Sequence, residues 1–213
     1  MLALDCMLTF GQSFTGVALG PSLLQVKYNF SETQTGLIVS IAYLVSCFLT
    51  PVLGRIVDKR GGRSALIVAG GVVYLLMNFM ILATGECDRC AISLVPYVFF
   101  GFSLAVYLAI LWSLVCFLVE PKQVGIGYGL LISFQNIGCS ILPPIYSHIE
   151  EETKEDESHG FFWVMVMFIS VSALSLMLKI CLVFWDKKCR GGIFDSRNPY
   201  EAFLDYVKQK RQL

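Results

Sequence analysis

The chain of 213 residues is 56% hydrophobic and 15% charged, with a mean hydropathy of +0.68. Ordinary soluble domains carry about 25% charged residues, so this is an integral membrane protein. Sixteen basic residues balance sixteen acidic ones, and a net charge of zero gives no footprint for nucleic acid or for an acidic partner. No charged leader segment opens the chain, and a first span with no loop ahead of it suggests a fragment, or an alternative product, of a longer chain.

A bilayer core about 30 Å thick takes roughly 20 helical residues. Six segments meet that requirement, at about 1–26, 35–53, 64–84, 92–119, 124–147 and 161–185, with a polar tail at 186–213. In the first, Asp5, Thr9, Gln12 and Gly16 recur at i, i+4, i+7 and i+11 and share one face. That face must look into a bundle or an aqueous cavity, as helix–helix glue or as pathway lining. Gly20-Pro21 is expected to bend or break this span. Asn29-Phe30-Ser31 is a glycosylation sequon. In the second span Ser40, Tyr43, Cys47 and Thr50 share a face, and Tyr43 offers a solute both an aromatic surface and a hydroxyl.

Between the second and third spans, Gly54 to Ser64 places four cations (Arg55, Lys59, Arg60, Arg63) and Asp58 between two apolar runs. This reads as a tight polar turn at a membrane surface, and short basic loops stay cytosolic. The third span carries Gly70-Gly71, small enough to let a neighbouring helix approach. Cys87-Asp88-Arg89-Cys90 permits a strained luminal disulfide. It does not supply the four ligands of a zinc site, and nothing else in the chain calls for a metal or a cofactor.

The fourth span holds Pro96 near its start and Trp112 well inside, either as core filler or as a stacking surface for a ligand. The fifth opens Val124-Gly125-Ile126-Gly127-Tyr128-Gly129, which imitates a nucleotide loop but lacks the preceding strand. Gly125, Gly129, Ser133, Asn136 and Ser140 form instead a small-residue face for close helix contact. Gln135 and Asn136 sit near mid-span, where unpartnered amides are costly, and Pro143-Pro144 is expected to end the helix. The loop 148–160, with Glu150, Glu151, Glu152, Glu155, Asp156 and Glu157, reads as a solvated acidic block, flanked by His148 and His159, which would titrate in an acidic lumen.

In the sixth span Lys179 lies towards the tail and is expected to snorkel to the surface. In the tail, Tyr200, Phe203, Leu204 and Val207 suit a short helix on the membrane, and Tyr200-Glu201-Ala202-Phe203 looks like a sorting signal. Twelve of the sixteen Lys and Arg, among them Arg55, Lys59, Arg60, Arg63 and Lys122, fall on one side, against Lys27, Arg89 and Lys154 on the other. Six spans with both ends cytosolic satisfy the positive-inside rule.

Gly54, Asp58 four residues on, Lys59, Gly61 and Arg63 resemble the signature loop of the major facilitator superfamily, which lies between the second and third helices of each six-helix half. Gly62 departs from that pattern, standing where the family usually has a second basic residue. Ala42-Tyr43-Leu44-Val45-Ser46, Pro51-Val52-Leu53-Gly54, Ala109-Ile110-Leu111-Trp112 and Ser133-Phe134-Gln135-Asn136-Ile137-Gly138 are similar, more narrowly, to the domain-containing protein 1 group of that superfamily.

The resemblance implies an all-α membrane fold, with this chain as helices seven to twelve. It implies a lysosomal dipeptide uniporter that works by alternating access, pairs with an N-terminal six-helix half or a second six-helix unit, and associates with a glycosylated accessory membrane protein. The plasma membrane is the alternative location. Gln12, Tyr43, Trp112, Gln135 and Asn136 are then candidates for the solute pathway, and Gly54, Asp58, Lys59, Gly61 and Arg63 for gating. Asp58 is expected near the start of the fifth span, where a helix end attracts negative charge.

With no mid-span charge except Asp5, the groups that would hold a zwitterionic dipeptide are expected from the other half. The competing readings are a carrier of another small organic solute and a non-transporting partner of a full-length carrier. An intramembrane hydrolase is excluded, because Gly101-Phe102-Ser103-Leu104 lacks the second glycine of the nucleophile motif and neither histidine lies mid-membrane.

Overall fold

Backbone polar groups in lipid must be satisfied within their own segment, and long apolar runs meet that demand as helices. The computed structural model describes residues 1–85, 90–153 and 161–196. It holds six helices long and apolar enough to cross a membrane, and no strand occurs among the described residues. They are α1 (Leu2–Tyr28), α2 (Glu32–Arg60), α3 (Arg63–Ala83), α4 (Leu94–Leu118), α5 (Val124–Glu152) and α6 (Phe161–Cys189). Short 3-10 turns occur at Ala91–Ser93, Pro121–Gln123 and Ile193–Asp195. Cys87, His159, most of the acidic loop and the tail from Arg197 lie outside the described residues; Cys90 is disulfide-bonded.

The helices run further than the sequence suggests. Pro21 lies inside α1, and Pro143 and Pro144 lie inside α5; membrane helices tolerate proline because local adjustments and neighbours re-satisfy the freed carbonyls. Asn29, left-handed at φ 54°, ends α1, and Ser31 opens α2 with a reciprocal capping box to Gln34. At the far end α2 continues through Pro51 to Arg60. The expected eleven-residue polar turn is therefore mostly helix, and Gly61 and Gly62 alone reverse the chain at φ 72° and 77°, a conformation that side chains resist.

Close helix crossings are made by glycine. A Cβ at Gly138 would run into the backbone of Met7, and one at Gly11 would lie 2.6 Å from Gly138, so α1 and α5 touch backbone to backbone. At Gly101 a Cβ would meet the carbonyl of Ala42, joining α4 to α2; Gly70 faces Val106 of α4, and Gly71 faces Leu176 and Lys179 of α6. The expected small-residue face of α5 does not serve this purpose within the chain. Gly125 and Gly129 have open space where a Cβ would stand, and Ser133, Asn136 and Ser140 are exposed. Only four residues of α5, Leu131, Gly138, Leu142 and Tyr146, are buried.

Two apolar clusters fill the bundle. One, around Leu24, Tyr28, Tyr146 and Val164, lies towards the α1–α2 connection. The other, around Ile110, Leu111, Leu114 and Phe194, lies towards the α2–α3 turn, here termed the basic end.

Candidate functional site

Lys179 does not snorkel. α6 runs ten residues beyond Lys179, to Cys189, about 15 Å of helix, and the ammonium instead donates to Asp5 Oδ1 at 2.6 Å inside the bundle. The side chains of Lys179 and Asp5 are 4% and 2% exposed. Ser175 donates to the same carboxylate oxygen at 2.7 Å and Tyr107 to the other at 3.4 Å, while Thr9 accepts from Lys179 at 3.1 Å. The ammonium also lies 5.2 Å from the centre of the Tyr107 ring. A lone charge at this depth would be expensive, but here each charge has its counter-ion and further hydrogen-bonding partners. The expected single mid-span charge is thus a neutral pair joining α1 to α6.

About two turns along α1 from Asp5, Gln12 is fully buried. Its Nε2 donates to the carbonyl of Phe168 at 2.6 Å and to Ser172 Oγ at 2.9 Å. Asn78 of α3 donates to the same Ser172 oxygen at 3.0 Å and to the Tyr74 carbonyl at 2.9 Å. The polar stripe of α1 therefore faces α6, and at Gln12 it takes the form of helix–helix glue. Sequence reasoning missed Lys179, Ser172 and Asn78. The signal was the spacing Ser172, Ser175, Lys179 at i, i+3, i+7, a stripe matching that of α1.

The other pathway candidates lie apart from this network. Tyr43 is 48% exposed on α2. Asn136 is exposed on α5, with Nδ2 donating to the Ile132 carbonyl at 3.0 Å. Gln135 beside it keeps its Oε1 out of solvent without a partner. Trp112 is half-buried where α4 meets α5: its carbonyl accepts from the Tyr128 hydroxyl at 2.9 Å, and the two rings stand 5.8 Å apart.

At the basic end, Gly54 has open space around it and Lys59 is exposed. Arg63 is 3% exposed and donates from Nη2 to Asp58 Oδ1 at 3.1 Å. Among the described residues no hydrogen bond joins Asp58 to the start of α5. The carboxylate is held by Arg63, whose Nη1 reaches the carbonyls of Phe194 and Ser196 at 3.5 and 3.4 Å. Those carbonyls belong to the segment after α6, which the sequence presents only as polar tail.

A family model described as Major Facilitator Superfamily matches residues 1–198. The chain is 28% identical over 196 residues to "Lysosomal dipeptide transporter MFSD1" of Mus musculus, covering 92% of this chain and 40% of that protein. The human protein of the same name is 28% identical over 192 residues, with 90% and 39% covered, and that of Danio rerio 26% over 193 residues, with 91% and 40%. The chain thus spans about two fifths of the length of these relatives, and no solved structure matches it. Six apolar membrane-length helices and a family match over nearly the whole sequence establish that the chain belongs to the major facilitator superfamily.

Proposed function

We propose that this chain is one six-helix half, helices seven to twelve, of a secondary transporter that carries dipeptides across the lysosomal membrane by alternating access. The observation that carries the reading is the uncovered polar row of α5. Ser133 and Ser140 donate to carbonyls of their own helix at 2.8 Å, and Asn136 uses one amide proton in the same way. The remaining N–H and the amide oxygen of Asn136 stay free to meet water or solute. Such a row facing hydrocarbon is costly, and it suits one wall of a wet route closed by a second bundle.

Tyr43 offers a similar group on α2. By the same reading Trp112 and Gln135 line the route, while Gln12 holds α1 in place behind it. The buried Asp5–Lys179 pair satisfies itself, so the groups that meet the charged ends of a dipeptide come from the other half. The basic end is cytosolic on this reading, because short loops rich in Lys and Arg stay on that side, and both ends of the chain are assigned to the cytosol by the same rule. The relatives' names supply the lysosome and the dipeptide.

The test is reconstitution. The full transporter, containing this half and its partner, is placed in proteoliposomes and offered labelled dipeptides, single amino acids and organic anions. Uptake of dipeptides alone is the expected result. Transport of another class in their place removes the dipeptide assignment, and uptake by the 213-residue chain alone removes the half assignment.

A further inference from the structure

From the geometry of the basic end we infer that the segment after α6, from Arg190 to Ser196, is a clasp that positions the signature turn, holding Arg63 and through it Asp58. The inference rests on the transporter reading for its consequence, though not for its existence. Gly191 and Gly192, at φ 72° and 77°, turn the chain out of α6 and back across the α2–α3 turn. The segment is tied down at its root, where Arg190 Nη2 donates to the Phe117 carbonyl of α4 at 2.8 Å. It is tied again where the Phe194 amide donates to Asp186 Oδ2 at 3.1 Å. Phe194 itself is 1% exposed, in the apolar cluster with Leu114 and Leu182.

What the clasp supplies is absent from the turn. The N-cap position of α3 is Gly62, which has no side chain to satisfy the first amides of the helix. Asp195 does so from 131 residues away, accepting from the Ser64 amide at 3.0 Å and placing a carboxylate at the positive end of the helix dipole. A Cβ at Gly61 would lie 2.5 Å from the Asp195 carbonyl, so turn and clasp are in direct contact.

Arg63 is gripped from the same side. One guanidinium nitrogen meets the Phe194 and Ser196 carbonyls and the other meets Asp58, with the group 5.2 Å from the Phe117 ring. Asp58 is 72% exposed on its side chain, and Arg63 gives it direction.

The test has two readouts. In the 213-residue chain in open membrane fragments, Ser64→Cys puts a thiol beneath the clasp, since Ser64 is 2% exposed. Peptide-level mass spectrometry then follows maleimide modification at that position separately from the native cysteines. Adding Asp195→Ala is expected to raise the labelling rate about tenfold, the change in local opening that loss of a charge-assisted hydrogen bond brings. Asp195→Asn, which keeps an acceptor, is expected to stay near the parent rate.

In the full transporter, Asp195→Ala is expected to lower the maximal uptake rate per molecule severalfold with KM unchanged, and Asp195→Asn to recover it. Labelling that does not respond to Asp195→Ala overturns the clasp. A raised labelling rate with unchanged uptake per molecule overturns the positioning role. A parent transporter that takes up nothing overturns the transport reading, and the positioning role with it, while labelling still decides whether the clasp exists.

Discussion

Lys179 and Asp5, 174 residues apart in sequence, meet Nζ to Oδ1 at 2.6 Å with almost no exposure to solvent. Removing one partner leaves the other charged and buried, whereas removing both leaves an apolar contact. Lys179→Met is therefore expected to destabilise the chain by about 3–5 kcal/mol. The double variant Asp5→Leu, Lys179→Met should recover most of that. Denaturant unfolding of the purified chain in lipid bicelles measures both; equal losses in the single and double variants would mean that the pair is not the unit that matters.

Two glycines of α5 should respond with opposite signs. Gly138 abuts the Met7 backbone, and an added methyl must push α1 away, which costs about 1–3 kcal/mol. Gly129 has nothing within 4 Å of its would-be Cβ, so Gly129→Ala should gain up to about 1 kcal/mol of helix propensity. Melting temperatures of Gly138→Ala and Gly129→Ala in the same detergent should move down and up respectively. Movement in the same direction would contradict the backbone contact between α1 and α5.

Asp58 separates stability from transport. Its carboxylate is 72% exposed while the Arg63 side chain is 3% exposed, and an asparagine keeps an oxygen that can accept from the guanidinium, so the exchange should cost at most about 1 kcal/mol. Asp58→Asn should leave the melting temperature within error while reducing uptake by the full transporter. Unchanged uptake at normal expression would remove Asp58 from the gating role.

For the proposed route, Asn136→Ala and Tyr43→Ala should each raise the KM for dipeptide about fivefold, the effect of one hydrogen bond of roughly 1 kcal/mol. Both side chains are exposed in the 213-residue chain, so neither substitution should lower its stability. Normal KM values for both variants would move the solute path elsewhere.

The six spans were legible because runs of about 20 apolar residues between polar ends admit few other structures. Partnerships between helices were not. Lys179 looked like a snorkelling residue because it lies towards the tail, and nothing local marked α6 as continuing to Cys189. The matching stripes of Asp5, Thr9, Gln12 and of Ser172, Ser175, Lys179 were present in the sequence, but a stripe does not name the helix it faces.

In α5, periodicity revealed the small residues without saying which face was inner. Gly138 lies against α1, and Gly125 and Gly129 lie outward. Gly191-Gly192 signalled a reversal, yet the target of Asp195 lies at Ser64, beyond the reach of any local pattern.

Ser172 offers the sharpest test of the polar core. Its Oγ donates to the Phe168 carbonyl at 2.7 Å and accepts from Gln12 at 2.9 Å and from Asn78 at 3.0 Å, so one hydroxyl joins α1, α3 and α6. After Ser172→Ala each amide keeps one backbone acceptor, Phe168 for Gln12 and Tyr74 for Asn78. The loss should therefore be about 2 kcal/mol, less than that of an orphaned ion. The informative quantity is coupling. In a Gln12→Met background one of the two amides is already gone, and Ser172→Ala should cost less by roughly 0.5–1 kcal/mol. Strict additivity, measured by chemical denaturation of the four chains of the cycle, would mean that the Gln12–Ser172 hydrogen bond contributes nothing to holding α1 against α6.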